Sequence, residues 1–252
     1  MRLGRKWLIT VVAVVMALCV LLTACDLGRK VQGIEVKFQK KVEAATELSF
    51  DMQLEINTDG SVSRIDVSCY KKGNEYAYTF VEPDKEYVVY RRLYADNKLY
   101  EYVTDTRLHA GTYYVTDGVA YTDDNNLLYW VTKNIMLATY ATLLSTGKQE
   151  KVGGVDTYRY DFSYEGNDYS LWYDDSNLVK ISATFRSTAE DGTAHTETYV
   201  GVFSGYRFAE VDSALFLRPA ETKDAVYVES PISFEEWMRI LDKFSARAAH
   251  WM

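Results

Sequence analysis

From Phe50 onward, apolar and polar residues alternate one by one, and a turn signal interrupts the alternation about every ten residues. Phe50, Met52, Leu54 and Ile56 alternate with Asp51, Gln53 and Glu55, the pattern of a strand with one buried face. Asp59-Gly60 ends it as a turn, and residues 62–70 return. Gly73-Asn74 turns again, and Tyr76, Tyr78 and Phe80 share one face of the next strand. Residues 86–94 and 98–104 flank Asp96-Asn97, and 112–116 and 119–122 flank Asp117-Gly118. Tyr158, Tyr160, Phe162 and Tyr164 face one way after that, followed by Tyr169–Tyr173. Then comes a strand in which Val179, Ile181, Ala183 and Phe185 oppose Lys180, Ser182, Thr184 and Arg186. Another strand spans 195–203. Sequential strands joined by short turns predict an antiparallel meander. The chain holds 21 tyrosines and 3 prolines, a composition that suits strands.

Three segments break the alternation. Phe38, Val42 and Ala45 lie at helical spacing within 35–47. From Leu127 to Ser145 the apolar residues, among them Trp130, Ile135 and Met136, fall on most sides of a predicted helix, which must then be enclosed by the rest of the domain. Residues 233–247 predict a terminal helix. Ser233 and Glu236 form its capping box, and Phe234, Trp237, Met238, Leu241 and Phe244 form its stripe, for packing on the sheet or for binding a partner.

The amino end is of another kind. Arg2, Arg5 and Lys6 precede an apolar run from Trp7 to Leu22, the arrangement of a secretory signal and short of the ~20 residues a spanning helix needs. The run ends in Leu22-Thr23-Ala24-Cys25, which resembles the lipobox of bacterial lipoproteins. The resemblance implies cleavage before Cys25, acylation of its thiol with chains such as palmitate, and a location on the outer face of the cytoplasmic membrane. Residues 1–24 are then the signal, 25–34 a lipidated tether, and 35–252 a single domain. Asp26 resembles the inner-membrane retention signal of two-membrane bacteria.

The net charge of −8 and the absence of a basic cluster exclude a nucleic-acid partner. With Cys19 in the signal and Cys25 acylated, Cys69 has no partner for a disulfide. It lies in register with Ile65 and Val67 and reads as a small core residue. No nucleophile elbow, phosphate loop or paired-histidine metal motif is present, and His109, His195 and His250 are far apart, so no catalytic residue, metal or cofactor is expected. Asp123-Asp124-Asn125-Asn126 reads as a polar turn and helix cap and lacks the ligand spacing of a calcium loop.

Val152-Gly153-Gly154-Val155-Asp156-Thr157-Tyr158-Arg159-Tyr160, then Leu171-Trp172-Tyr173-Asp174 and Val179-Lys180-Ile181, resemble the strand and turn motifs of the Lol-type lipoprotein carriers and receptors and the mycobacterial lipid-binding lipoproteins. That resemblance implies a mainly antiparallel β fold with helices (α+β), an unclosed, curved β-barrel with helices in its concave face. It also implies an apolar pocket drawn from Trp130, Ile135, Met136, Tyr158, Tyr160, Phe162, Trp172, Ile181 and Phe185. If helices fill the concavity, these residues are core; if a gap remains, they line a site for an acyl chain or other apolar ligand. The alternative is an interaction, sensor or accessory lipoprotein without lipid cargo, serving an envelope or spore-germination partner.

Overall fold

The computed structural model describes residues 37–119 except Gln39 and Asp84, 147–188 except Glu165, 192–218, 226–227 and 232–241. Six strands form a first meander: β1 (Glu47–Thr58), β2 (Ser61–Lys72), β3 (Glu75–Val81), β4 (Tyr87–Leu93), β5 (Lys98–Asp105) and β6 (Ala110–Asp117). Five form a second: β7 (Lys148–Val152), β8 (Val155–Tyr164), β9 (Asn167–Tyr173), β10 (Leu178–Thr188) and β11 (Ala194–Arg207). The first strand of one pairs antiparallel with the last strand of the other, Met52 opposite Phe203 and Leu54 opposite Gly201. A short parallel strand, β12 (Val226–Tyr227), extends the border at β6. The strand order is β12-β6-β5-β4-β3-β2-β1-β11-β10-β9-β8-β7, so the two borders stay apart and the sheet is not closed into a barrel. A twisted sheet this wide curls. This is the unclosed antiparallel architecture expected from the sequence.

Register divides the side chains between two faces. Cross-strand partners project to the same side, so Tyr78, Cys69, Phe50 and Val67 lie with Met52, Phe203 and Ile181 on what we call the inner face. This face carries the main core. Two helices close onto it. α1 is helical at 37–38 and 40–44, ending before the predicted 47 because β1 already begins at Glu47. Its Phe38 and Val42 are buried in the main core. Lys71 Nζ donates to Ala45 O at 2.6 Å and Val42 O at 3.3 Å, satisfying carbonyls that a helix end leaves without partners. Burial lowers the pKa of this ammonium.

α2 (Phe234–Leu241) starts where the capping box predicts: Ser233 Oγ accepts from Glu236 N at 3.2 Å. Its Trp237 is 0% exposed in the inner core, so packing on the sheet is the role observed for the stripe. The rest of the stripe to Phe244, and the predicted helix 127–145, lie outside the described residues, as do 120–122. Val119 is not in a strand; its N–H donates to Asn97 O at 3.0 Å.

The outer face has a smaller core of its own. A 3₁₀ turn (Ser213–Phe216), capped by Asp212, places Phe216 with Val211 against Ala77 and Tyr94. Strand ends are named here by β1: the lower end holds Glu47 and α1, the upper end the Asp59-Gly60 turn. Asp59 has φ +50 and Gly60 φ +92, the left-handed pair a two-residue hairpin turn requires.

Candidate functional site: an aromatic row on the inner face

On the inner face of β8–β11, pairing sets Tyr158 opposite Tyr173, Tyr160 opposite Leu171 and Phe162 opposite Tyr169. Ile181 then pairs with Leu171 and Ala183 with Tyr169, and on the far side Ile181 pairs with Gly201 and Ala183 with Tyr199. In the lower part of this surface Tyr160, Leu171 and Tyr173 are buried and Tyr158 is half-buried. Tyr160 is 1% exposed, and the Phe38 ring meets Tyr173 and Tyr206 edge-on at 6.2 and 5.7 Å. The upper part is half-buried. There Phe162 stacks on Tyr169 at 5.0 Å, Tyr169 meets Phe185 at 6.0 Å and 90°, and Phe185 meets Tyr199 at 5.6 Å and 83°. Four rings from four neighbouring strands thus form one row across the sheet, each only half-covered by the protein.

Two polar features lie on the inner face. At the β11 end of the row, Tyr199 bonds to Glu197, which also accepts from Thr58 Oγ1 at 3.1 Å. Burial first, and then the bonded carboxylate, push the Tyr199 phenol well up, so it is a neutral hydroxyl at any physiological pH. In the other half of the sheet, Arg91 pairs across strands with Glu101, and the two register with Tyr78 on the inner face. Their ion pair is buried, with Arg91 Nη2 at 2.8 Å from Glu101 Oε1.

The residues expected to line a pocket separate into three groups. Tyr158, Tyr160, Phe162, Ile181 and Phe185 share the inner face; Tyr160 and Ile181 are core, and the other three are half-buried. Trp172 does not join them. It pairs with Arg159 and Lys180, which puts it on the outer face, where both cations lie over its ring at 5.0 and 4.4 Å and its Nε1 donates to Glu150 at 3.0 Å. Leu171-Trp172-Tyr173 is apolar without alternation, so the sequence does not mark which members point inward. Trp130, Ile135 and Met136 lie outside the described residues, as do Cys25 and the Leu22-Thr23-Ala24 segment. Sequence reasoning missed Tyr169 and Tyr199 as members of the row. In β11, Val200 and Val202 are as apolar as Tyr199 and Phe203, and only the register decides between the two faces.

Among the described residues, no group of three His, Cys, Asp or Glu side chains is placed to hold a metal ion. His195 Nδ1 lies 2.7 Å from Asp59 Oδ2, tying the upper turn of β1 to the start of β11. That bond first, and the Thr196 N–H second, hold the Asp59 carboxyl below its ordinary range. Cys69 is fully buried, and burial raises its thiol pKa far above the range in which a thiolate forms.

No family model matches the chain, and no curated protein matches it. Solved structures to which it is similar include a DUF1329 family protein from Desulfovibrio piger, at 13% identity and a TM-score of 0.36 over 76% of this chain and 97% of that one. Lipoprotein LppX of Mycobacterium tuberculosis is similar at 12% identity and a TM-score of 0.36, over 74% of this chain and 97% of that one. A putative outer membrane lipoprotein-sorting protein domain from Vibrio parahaemolyticus is similar at 9% identity and a TM-score of 0.28, over 70% and 91%. Likenesses at these scores place no residue of this chain and assign it no ligand.

Proposed function

We propose that this chain is an extracytoplasmic protein, held by lipid on Cys25, that binds an acyl chain or a similarly apolar ligand along the inner face of its open sheet. One observation carries the reading: the row Phe162, Tyr169, Phe185 and Tyr199 is half-buried beside a lower half in which Tyr160, Leu171 and Tyr173 are fully buried. Burying each methylene of an acyl chain on such a surface contributes ~0.8 kcal/mol. A dozen methylenes therefore give roughly 10 kcal/mol gross, enough to offset the cost of association. The reading involves no covalent chemistry on the ligand, and the Tyr199–Glu197–Thr58 group supplies a polar end beside it.

Native mass spectrometry on the chain purified from bacterial membranes, followed by organic extraction, tests this. The reading requires a near-stoichiometric co-purified lipid, and a diacylglycerol mass on Cys25 that disappears in Cys25→Ser. A ligand-free protein that takes up no added phospholipid removes lipid binding.

A second reading, a docking protein without cargo, is favoured by the outer face of β4–β6. There the part-exposed Tyr100 stacks on Tyr113 at 6.0 Å, with Arg218 lying over the Tyr100 ring. Tyrosine and arginine are the residues enriched at protein interfaces.

A further inference from the structure

At β11 the aromatic row ends on a carboxylate. Glu197 stands directly opposite Phe185 of β10 and Thr58 of β1, so it projects from the inner face, in line with Tyr199 two residues on. It is half-buried, as Phe185 and Tyr199 are. Thr58 Oγ1 donates to Glu197 Oε1 at 3.1 Å, and the Tyr199 hydroxyl donates to the same carboxylate. Both donors are neutral. A carboxylate offers about four lone-pair positions, so two hydroxyls leave roughly half of them for another donor.

Other carboxylates of this face and this end are engaged differently. Glu101 faces Arg91 at 2.8 Å. Asp105 accepts from Arg107 N and Leu108 N, each at 2.8 Å. Asp59 is held by His195 at 2.7 Å and by Thr196 N at 2.9 Å. The cations closest to Glu197 in register are likewise taken: His195 by Asp59, Arg186 on the outer face by Asp168, and Arg64 by Glu55. Among the described residues, no cation stands within ion-pair distance of Glu197.

The rings beside it make the walls of a corner. Phe185 and Tyr199 meet at 83° with centroids 5.6 Å apart, and Tyr169 meets Phe185 at 90° from the other side. An ammonium is drawn both to a ring face and to a carboxylate, and more strongly where the protein partly excludes water. A purely anionic head meets Glu197 with like charge.

We infer that the ligand of the aromatic row carries an ammonium group at the end of its apolar chain, and that Glu197, with the Phe185 and Tyr199 rings, selects it. This selection presupposes the apolar-chain binding proposed above and adds the chemical class of the head. An ethanolamine-headed phospholipid and a single-chain alkylamine share that chemistry.

The test is native mass spectrometry of the full chain, purified in a maltoside detergent. It is titrated with phosphatidylethanolamine or phosphatidylglycerol of the same acyl chains, and with dodecylammonium or dodecanol. The ammonium member of each pair is expected to bind better by on the order of tenfold, the size of a partly desolvated cation–ring contact beside a carboxylate. Glu197→Gln keeps the shape of the side chain and an acceptor for Thr58, and is expected to bring the members of each pair within about twofold of each other. Phe185→Leu keeps the surface apolar and is expected to reduce the preference. Asp66→Asn removes an exposed carboxylate from the outer face and is expected to retain it. A preference in the phospholipid pair assigns a membrane lipid, and one confined to the dodecyl pair a single-chain amine. Equal binding within both pairs, a preference that survives Glu197→Gln, or one lost equally in Asp66→Asn overturns the selection and leaves the apolar binding standing. If Glu197→Gln shows no urea transition, Phe185→Leu decides, and an undiminished preference there overturns the selection. Binding of none of the four probes removes the apolar-chain reading and the selection with it.

Discussion

At Gly201 the missing side chain is what allows β1 and β10 to meet over β11. A Cβ built there would lie 2.8 Å from Met52 Sδ and 3.1 Å from Ile181 Cγ2. Gly201→Ala is expected to lower stability by about 1–3 kcal/mol. Adding Met52→Ala should recover part of that loss, a coupling that urea unfolding of the two single variants and the double variant measures directly. The buried Arg91–Glu101 pair has the opposite character. Replacing the arginine alone, as Arg91→Met, is expected to cost ~3–5 kcal/mol, and Arg91→Met with Glu101→Leu to restore most of it, because desolvation makes a buried pair a weak net stabiliser. Tyr90-Arg91-Arg92 gives no sequence signal for which arginine turns inward. Both are buried, one facing a carboxylate and the other among carbonyls and rings.

The exposed Asp59–His195 bond sets a pH dependence. Asp59 titrates below the 3.8 of a free aspartate, so its contribution is complete above that value and is lost as the pH falls through the lower, folded one. Asp59→Asn should flatten the acid limb of the urea midpoint below about pH 4, leaving neutral-pH behaviour little changed. An acid limb as steep as that of the parent chain would mean that this bond does not set it.

At the level of elements, the two meanders depend on one seam. β1 and β11 each have a strand on both sides, whereas β7 and β12 lie at the borders. Hydrogen exchange followed by mass spectrometry is therefore expected to find β1, β2 and β11 slowest and β7 among the fastest. Exchange at β7 as slow as at β1 would contradict this order of stability. The strands that alternate were legible in the sequence, to within a few residues at each end. β7 was not, because Lys148-Gln149-Glu150-Lys151 is charged and exposed throughout, the composition of an edge strand protected against further pairing. The misplacement of Trp172 has a local cause. A bulge between Leu178 and Lys180 lets two residues of β10 pass one step of β9, so no simple alternation runs from Val179 through the neighbouring strands. α2 was legible because a cap and a stripe agree, and its Ser233 bond and buried Trp237 match both.

For the whole molecule, hairpin rhythm is enough to name an antiparallel sheet, since each turn fixes only its own two strands. It does not reveal the pairing of β1 with β11, which joins residues some 150 apart with no turn between them. Nor does it show which aromatics the helices cover. Phe38 of α1 covers Tyr173 and Tyr206 at the lower inner face, and the upper row of Phe162, Tyr169, Phe185 and Tyr199 is left half-covered. The contrast between those two halves is the basis for reading the molecule as a binder of apolar chains.

The most direct test is photo-cross-linking with a phosphatidylcholine that carries a diazirine on one acyl chain, followed by peptide mapping. The account expects adducts on inner-face residues of β8–β11, at Tyr158, Phe162, Tyr169, Phe185 and Tyr199, reduced by competition with unlabelled lipid. Adducts confined to the outer face around Tyr90 and Tyr113, or none that unlabelled lipid displaces, would contradict it.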